Sequence, residues 1–241
     1  MESQPFNVIP VLDVRHGVAV RAVAGDRANY QPLVTPLTDS ADPVAVAQGY
    51  QRLYPFPSLY VADLDGIEGR GANTAMLAML SAQIPGLEIW ADNGSADFAG
   101  VSSLLENSQI TAVIGTESRL EGSELRRLTG LFGDRVVLSL DFHGDDFTGA
   151  NKLLADASRW PRRVIVMTLA RVGTTMGPDI GRITDIAKRA GPARQIYGAG
   201  GIRNRADLLA VRQAGASGAL IATALHSGQI KTGDLDEIAG S

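Results

Sequence analysis

The chain has 241 residues, 45% of them apolar and 20% charged, with no cysteine and a net charge of −4. That length predicts one large domain spanning residues 1–241, and the missing cysteines exclude a disulfide framework, thiolate metal ligation and a cysteine nucleophile. The acidic balance and sparse aromatics argue against a nucleic-acid partner. No apolar run reaches the roughly 18 residues that a membrane span needs, and the first residues lack the basic and apolar regions of a signal peptide, so a cytoplasmic location is expected.

Short apolar runs alternate with helix-like stretches along the chain. Val8–Leu12 reads as a first strand. Asp42 is placed to cap a helix through Val44–Leu53, with Pro43 at its first position. Then follow strand Leu59–Ala62 and helix Thr74–Gln83, strand Leu87–Ala91 and helix Asp97–Leu105, strand Thr111–Ile114 and helix Ser123–Phe132. The second half continues with strand Val136–Leu140 and helix Asn151–Ser158, strand Val164–Leu169 and helix Asp179–Ala190, strand Gln195–Tyr197 and helix Asn204–Gln213, and strand Ala219–Ala222 with the short helix Asp234–Ala239.

Most of the strand runs are continuously apolar, the pattern of strands covered on both faces. Eight strand–helix units in a chain of this length predict an α/β fold of the (β/α)₈ TIM-barrel class. The rival, a doubly wound sheet, would place a glycine-rich fingerprint after its first strand, where this chain has Asp13-Val14-Arg15-His16-Gly17. Pro10 is discordant with either reading, since proline removes a donor from a strand ladder. The chain also repeats weakly. Ala112-Val113-Ile114-Gly115-Thr116 resembles Ala219-Leu220-Ile221-Ala222-Thr223 at an offset of 107, Gly94 and Gly201 share that offset, and Asp13 precedes Asp141 by 128 residues. Two half-barrels would give this order, with the longer loop 14–41 in the first half explaining the larger offset.

In such a barrel the residues closing each strand build the site. Asp13 and Asp141 close strands one and five, opposite each other, where a carboxyl pair can divide acid and base roles. Gly115-Thr116 and Gly200-Gly201 can turn backbone N–H groups toward a phosphate at matching places in the two halves. The loop Gly173-Thr174-Thr175-Met176-Gly177-Pro178 has the length of a lid. His16, His143 and His226 lack metal-ligand spacing, and Asp63-Leu64-Asp65 alone does not make a cation site, so neither a metal nor a cofactor is expected. Tyr50, Tyr54, Phe56 and Trp160 would serve a dimer face or the core, and both monomer and homodimer fit.

These residues resemble a known family. Ile9-Pro10-Val11-Leu12-Asp13-Val14-Arg15-His16-Gly17, with Val20-Arg21 and Gly25-Asp26, is similar to the opening of the HisA/HisF enzymes of histidine biosynthesis. Val61–Gly66, Ile114-Gly115-Thr116, Leu140-Asp141, Arg171-Val172-Gly173-Thr174 with Gly177-Pro178, and Gly200-Gly201-Ile202 continue the likeness in order, and the opening block also accounts for Pro10. The resemblance implies a duplicated half-barrel, a ligand with a phosphate at each end, and, for the HisA branch, an Amadori rearrangement of an aminoaldose phosphate. It implies catalytic roles for Asp13 and Asp141. Thr168, which stands where the family has the first aspartate of the sixth strand, is expected to be catalytic as well.

The same likeness assigns substrate contacts to Arg21, Gly94, Ser95, Gly115, Thr116, Arg171, Gly173, Thr174, Gly200, Gly201 and Thr223. The chain departs from the family at Val172, an acidic position in the usual pattern; at Asp92-Asn93-Gly94-Ser95-Ala96, usually Gly-Gly-Gly-Ile-Arg; and at Ala222-Thr223-Ala224, usually Gly-Arg-Ala. Residues 169–174 are similar to a HisA-like subgroup linked to one-carbon cofactor synthesis of the tetrahydromethanopterin and methanofuran type. The expected function is therefore a divergent HisA-like isomerase acting on a small phosphorylated or anionic substrate. The alternatives are the histidine-pathway ribotide isomerase itself and a non-catalytic binding barrel.

Overall fold

The computed structural model describes residues 5–118 and 121–240. Eight parallel strands close into a barrel: β1 (Asn7–Arg15), β2 (Ser58–Asp63), β3 (Glu88–Asp92), β4 (Ile110–Gly115), β5 (Val136–His143), β6 (Arg163–Thr168), β7 (Gln195–Ala199) and β8 (Gly218–Ile221). β1 pairs with β8 over Asn7–Pro10 and then with β2 over Val11–Val14. Pro10 sits at the last pair of the first ladder, where the strand changes partners. Its missing N–H is accommodated there, as the family resemblance led us to expect.

Helices α1 (Pro43–Leu53), α2 (Thr74–Gln83), α3 (Phe98–Leu104), α4 (Gly122–Phe132), α5 (Asn151–Ala155), α6 (Ile180–Ala190), α7 (Arg205–Gln213) and α8 (Thr232–Gly240) surround the sheet. Four of them begin on an Asx cap that satisfies an otherwise unpaired N–H. Asp42 accepts from Ala45 N at 2.8 Å, Asp97 from Gly100 N at 2.8 Å, Asp179 from Arg182 N at 3.1 Å and Asn204 from Asp207 N at 3.0 Å. Two features were not read from the sequence. The first loop carries a hairpin, Val18–Arg21 against β1 and Gln31–Pro32, and β5 runs on to His143 before turning back at Asp146–Phe147. α5 is also shorter than expected, ending at Ala155 before a 3₁₀ turn over Ala157–Arg159.

Alternation along the strands divides the apolar side chains into two layers. Ile9, Tyr60, Trp90, Val113, Val137, Ile165, Tyr197 and Leu220, one from each strand, fill the barrel interior. Their neighbours, such as Leu12, Val61, Ile114, Leu138, Val166 and Ile221, face outward onto Tyr50, Leu80, Leu128 and Ile183 of the helices. Tyr50, Phe56 and Trp160 are buried in this outer layer and belong to the core. At the N-terminal end of the strands Arg163 plugs the barrel, 2.8 Å from Glu88 and stacked 4.8 Å from the Trp90 ring centroid. The two halves correspond in position: β3 and β7 begin and end 107 residues apart.

Closure also depends on Gly218. A Cβ there would overlap the Asn7 carbonyl oxygen and lie 2.7 Å from the Tyr197 ring. Gly218→Ala is expected to cost about 1–3 kcal/mol through this overpacking. The check is thermal denaturation, with a fall in Tm of several degrees expected.

Candidate active site

A cavity of about 300 Å³ opens at the C-terminal ends of the strands. Strand parity decides what faces it. On β1, Ile9, Val11 and Asp13 share the inner face; on β3, Trp90 and Asp92 do; on β5, Val137, Ser139 and Asp141 do. Three aspartates therefore enter one apolar-walled mouth, and Glu117, just after β4, joins them.

Asp141 is the most tightly held. Ser139 Oγ donates to its Oδ1 at 2.6 Å, while Thr116 donates from N and Oγ1 to its Oδ2 at 2.7 and 3.1 Å. Burial pushes its carboxyl up to about 7; the Ser139 bond opposes the shift, and nearby Asp92 and Glu117 add to it. Asp13 faces the cavity with no side-chain hydrogen bond to another described residue. Burial raises it to about 7 as well, against the pull of the Arg27 guanidinium. Asp92 accepts from the Tyr60 hydroxyl at 3.2 Å and from Gly94 N at 3.2 Å, and burial raises it to about 6. Gly115 lets the carboxylates pass: a Cβ there would lie 3.2 Å from Asp141 Oδ2 and 3.5 Å from Asp92 Oδ2.

The loop after β1 covers the mouth. Ala22, Gly25, Arg27 and Tyr30 all line the cavity. Ala24 N donates to Val172 O at 2.8 Å, and Gly173 packs so closely on Ala22 O that a Cβ would overlap it. On the other side Arg27 bonds both Glu117 carboxylate oxygens at 3.0 Å. The cover is thus fastened to the loops after β6 and β4. Val172 contributes an apolar wall beside Leu169.

Gly173, Thr174, Gly200, Gly201 and Thr223 meet along one side of the cavity. Gly200 and Gly201 have φ of +99° and +81°, and a Cβ on either would strike a backbone carbonyl, of Thr168 or Gly177. Only glycine fits both positions. Arg171 does not reach the cavity. It donates to Gly177 O and Pro178 O at 3.0 and 3.1 Å and so shapes the 173–178 loop.

Several residues expected to touch substrate lie away from the cavity. Thr168 shares the outward parity of Val164 and Val166 and does not line the cavity; Met167 does. Arg21 is exposed on the outer side of its hairpin strand, while Val20 points inward. Gly94 packs against Gly66 and Ile67, Ser95 N turns back to Asn93 Oδ1 at 3.1 Å, and neither lines the cavity. Thr116 is 1% exposed and donates its amide to Asp141 Oδ2 at 2.7 Å. Arg27, Glu117, Tyr30 and Tyr60 went unread. For Tyr60 the signal was available, because it shares the parity of inward-facing Ala62.

A model of the histidine biosynthesis protein family matches residues 7–231. The chain belongs to this family. Imidazole-4-carboxamide isomerases of Chloroflexus aggregans and Chloroflexus aurantiacus are 31% and 30% identical to it, the alignments covering 93% and 97% of this chain and 94% and 98% of theirs. An uncharacterized protein of Methanocaldococcus jannaschii is 28% identical over 97% of each chain. No helix among the described residues is long and apolar enough to cross a membrane.

In this HisA-like barrel the buried aspartates oppose stability. Asp13 binds its proton more tightly folded than unfolded, so between about pH 4 and pH 7 the native state holds the extra proton and stability falls as pH rises. Asp13→Asn is expected to raise Tm at pH 8 and flatten its decline across that window. Melting curves from pH 5 to pH 8 test this.

Proposed function

We propose that this protein is an aldose–ketose isomerase of the Amadori type acting on a small phosphorylated sugar derivative. The observation that carries the reading is the placement of Asp13 and Asp141 on opposite strands of one cavity, both raised to about 7. A pair poised near neutrality can exchange protons in both directions. Their surroundings divide the roles. Burial does most to raise Asp141, the Ser139 and Thr116 donors oppose that, and nearby Asp92 and Glu117 add to it; we assign it as the acid. Asp13 lies near Arg27, which favours its ionised form, and is the base.

In the first step Asp141 gives its proton to the ring oxygen of the aminoaldose. The C1–O bond breaks, and the nitrogen lone pair forms the C=N bond of an iminium. Asp13 then takes the proton from C2, the C–H electrons form the C1–C2 double bond, and the C=N electrons return to nitrogen. Asp13 returns its proton to C1 while the C2 hydroxyl proton passes to Asp141, giving the aminoketose and restoring both carboxyls with no net redox change. Gly173, Thr174, Gly200, Gly201 and Thr223 hold the phosphate, so that binding energy remote from the reacting carbon fixes its position. The covered mouth excludes water from the open-chain intermediate.

The relatives named as isomerases favour the histidine-pathway reaction itself. One observation favours a divergent substrate instead: Asp92 occupies the mouth where the family pattern has glycine. A setting in one-carbon cofactor synthesis, as the 169–174 stretch implies, is the accompanying expectation. Complementation of an isomerase-deficient histidine auxotroph separates the two. Growth supports the histidine-pathway reaction; no growth despite soluble expression supports the divergent one.

For whichever aminoaldose phosphate is turned over, Asp13→Asn and Asp141→Asn should each lower kcat by about 10²–10⁴-fold. Wild-type activity should peak near pH 7, with both limbs belonging to the coupled pair. Steady-state kinetics across pH 5–9 provide the check, and an Asp13→Asn enzyme with wild-type kcat would overturn the assignment.

A further inference from the structure

The two halves of the barrel present corresponding positions to the cavity, and only one half leaves them open. Ala199, Gly200 and Gly201 at the end of β7 lie 107 residues after Asp92, Asn93 and Gly94 at the end of β3. Thr223 and Thr116 correspond in the same way. On the β7–β8 side Gly200, Gly201 and Thr223 line the cavity. On the β3–β4 side Gly94 N is spent on Asp92, and Thr116 N on Asp141.

On the second side the acceptors outnumber the donors: Tyr60 and Thr148 are spent on Asp92 and on the Asp141 carbonyl, and His143 is the lining ring donor near it. Asp92 accepts two hydrogen bonds, from Tyr60 and Gly94, and an ionised carboxylate has about four acceptor sites. Glu117 is occupied by Arg27, the one guanidinium among the residues lining the cavity. A phosphate brought here would meet Asp92, Asp141 and Glu117 with that single arginine already paired. A hydroxyl or amine would meet unspent acceptors.

We infer that the cavity takes a substrate with one phosphate, held at the β6–β8 loops, whose other end is a hydrogen-bond donor, an amine or hydroxyl, and that Asp92 is the residue that rejects a second phosphate. This rests on the isomerase reading for the phosphate end but not on the roles of Asp13 and Asp141. Asp92 selects because of its parity. The same side chain one residue earlier on β3, at the place of Ala91, would point into the helix layer and leave the mouth open to a second anion.

Calorimetric titration at pH 8 tests the inference with three probes: inorganic phosphate, ribose 5-phosphate and ribulose 1,5-bisphosphate. Wild type should bind one inorganic phosphate, and should bind the monophosphate at least about tenfold more tightly than the bisphosphate. Asp92→Asn, which keeps the side-chain shape, and Asp92→Gly should each raise bisphosphate affinity at least about tenfold while leaving the monophosphate within about twofold. Wild type binding the bisphosphate as tightly as the monophosphate would overturn the inference. So would variants that shift both ligands equally, or binding of neither sugar phosphate. Binding is read without turnover, so an inactive protein with the expected selectivity would sink the acid–base reading and leave this one standing.

Discussion

The parity imposed by barrel closure underlies everything in the mouth. Once β1 joins both β8 and β2, no strand can slip by one residue without turning its inner face outward. The interior ring of Ile9, Tyr60, Trp90, Val113, Val137, Ile165, Tyr197 and Leu220 opposes such a slip, because each large side chain would be exchanged for one shaped to meet a helix. That ring is the floor on which Asp13, Asp92 and Asp141 stand. It also explains why Met167 faces the cavity and Thr168 does not.

Collecting carboxyls above an apolar floor has an electrostatic cost. Each aspartate loses hydration, and Glu117 raises the proton affinity of Asp92 and Asp141, with Asp92 adding to that of Asp141. The structure limits that cost with donors on the acids themselves: Ser139 and Thr116 on Asp141, Tyr60 and Gly94 on Asp92. Asp13 alone among the three aspartates has only the field of Arg27. The result is a site that opposes stability near neutral pH and holds three aspartates whose proton affinities burial raises toward neutrality.

The cover over this site is fastened to the loop after β6 through the backbone of Val172. Val172, where the family pattern has an acid, gives its carbonyl to Ala24 and its side chain to the cavity wall. Val172 thus leaves the β6 side of the mouth uncharged, while Asp92 places a carboxyl on the β3 side.

The amino-acid sequence by itself determined the architecture. Continuous apolar runs, Asx caps and the 107-residue repeat are local or periodic signals, and each reports on backbone that every barrel of this class must build. It also exposed Asp13 and Asp141, because strand ends are visible wherever an apolar run stops. Only the tertiary structure decided which of the neighbouring polar residues face the cavity. Thr168, Arg21, Gly94, Ser95 and Thr116 are within a residue or two of inward positions, and single-residue parity is beyond the resolution of a hydropathy pattern. Arg27, Glu117 and Tyr30 lie in loops with no period at all. Their place over the mouth follows from contacts across the barrel, such as Arg27 with Glu117, 90 residues apart in the chain.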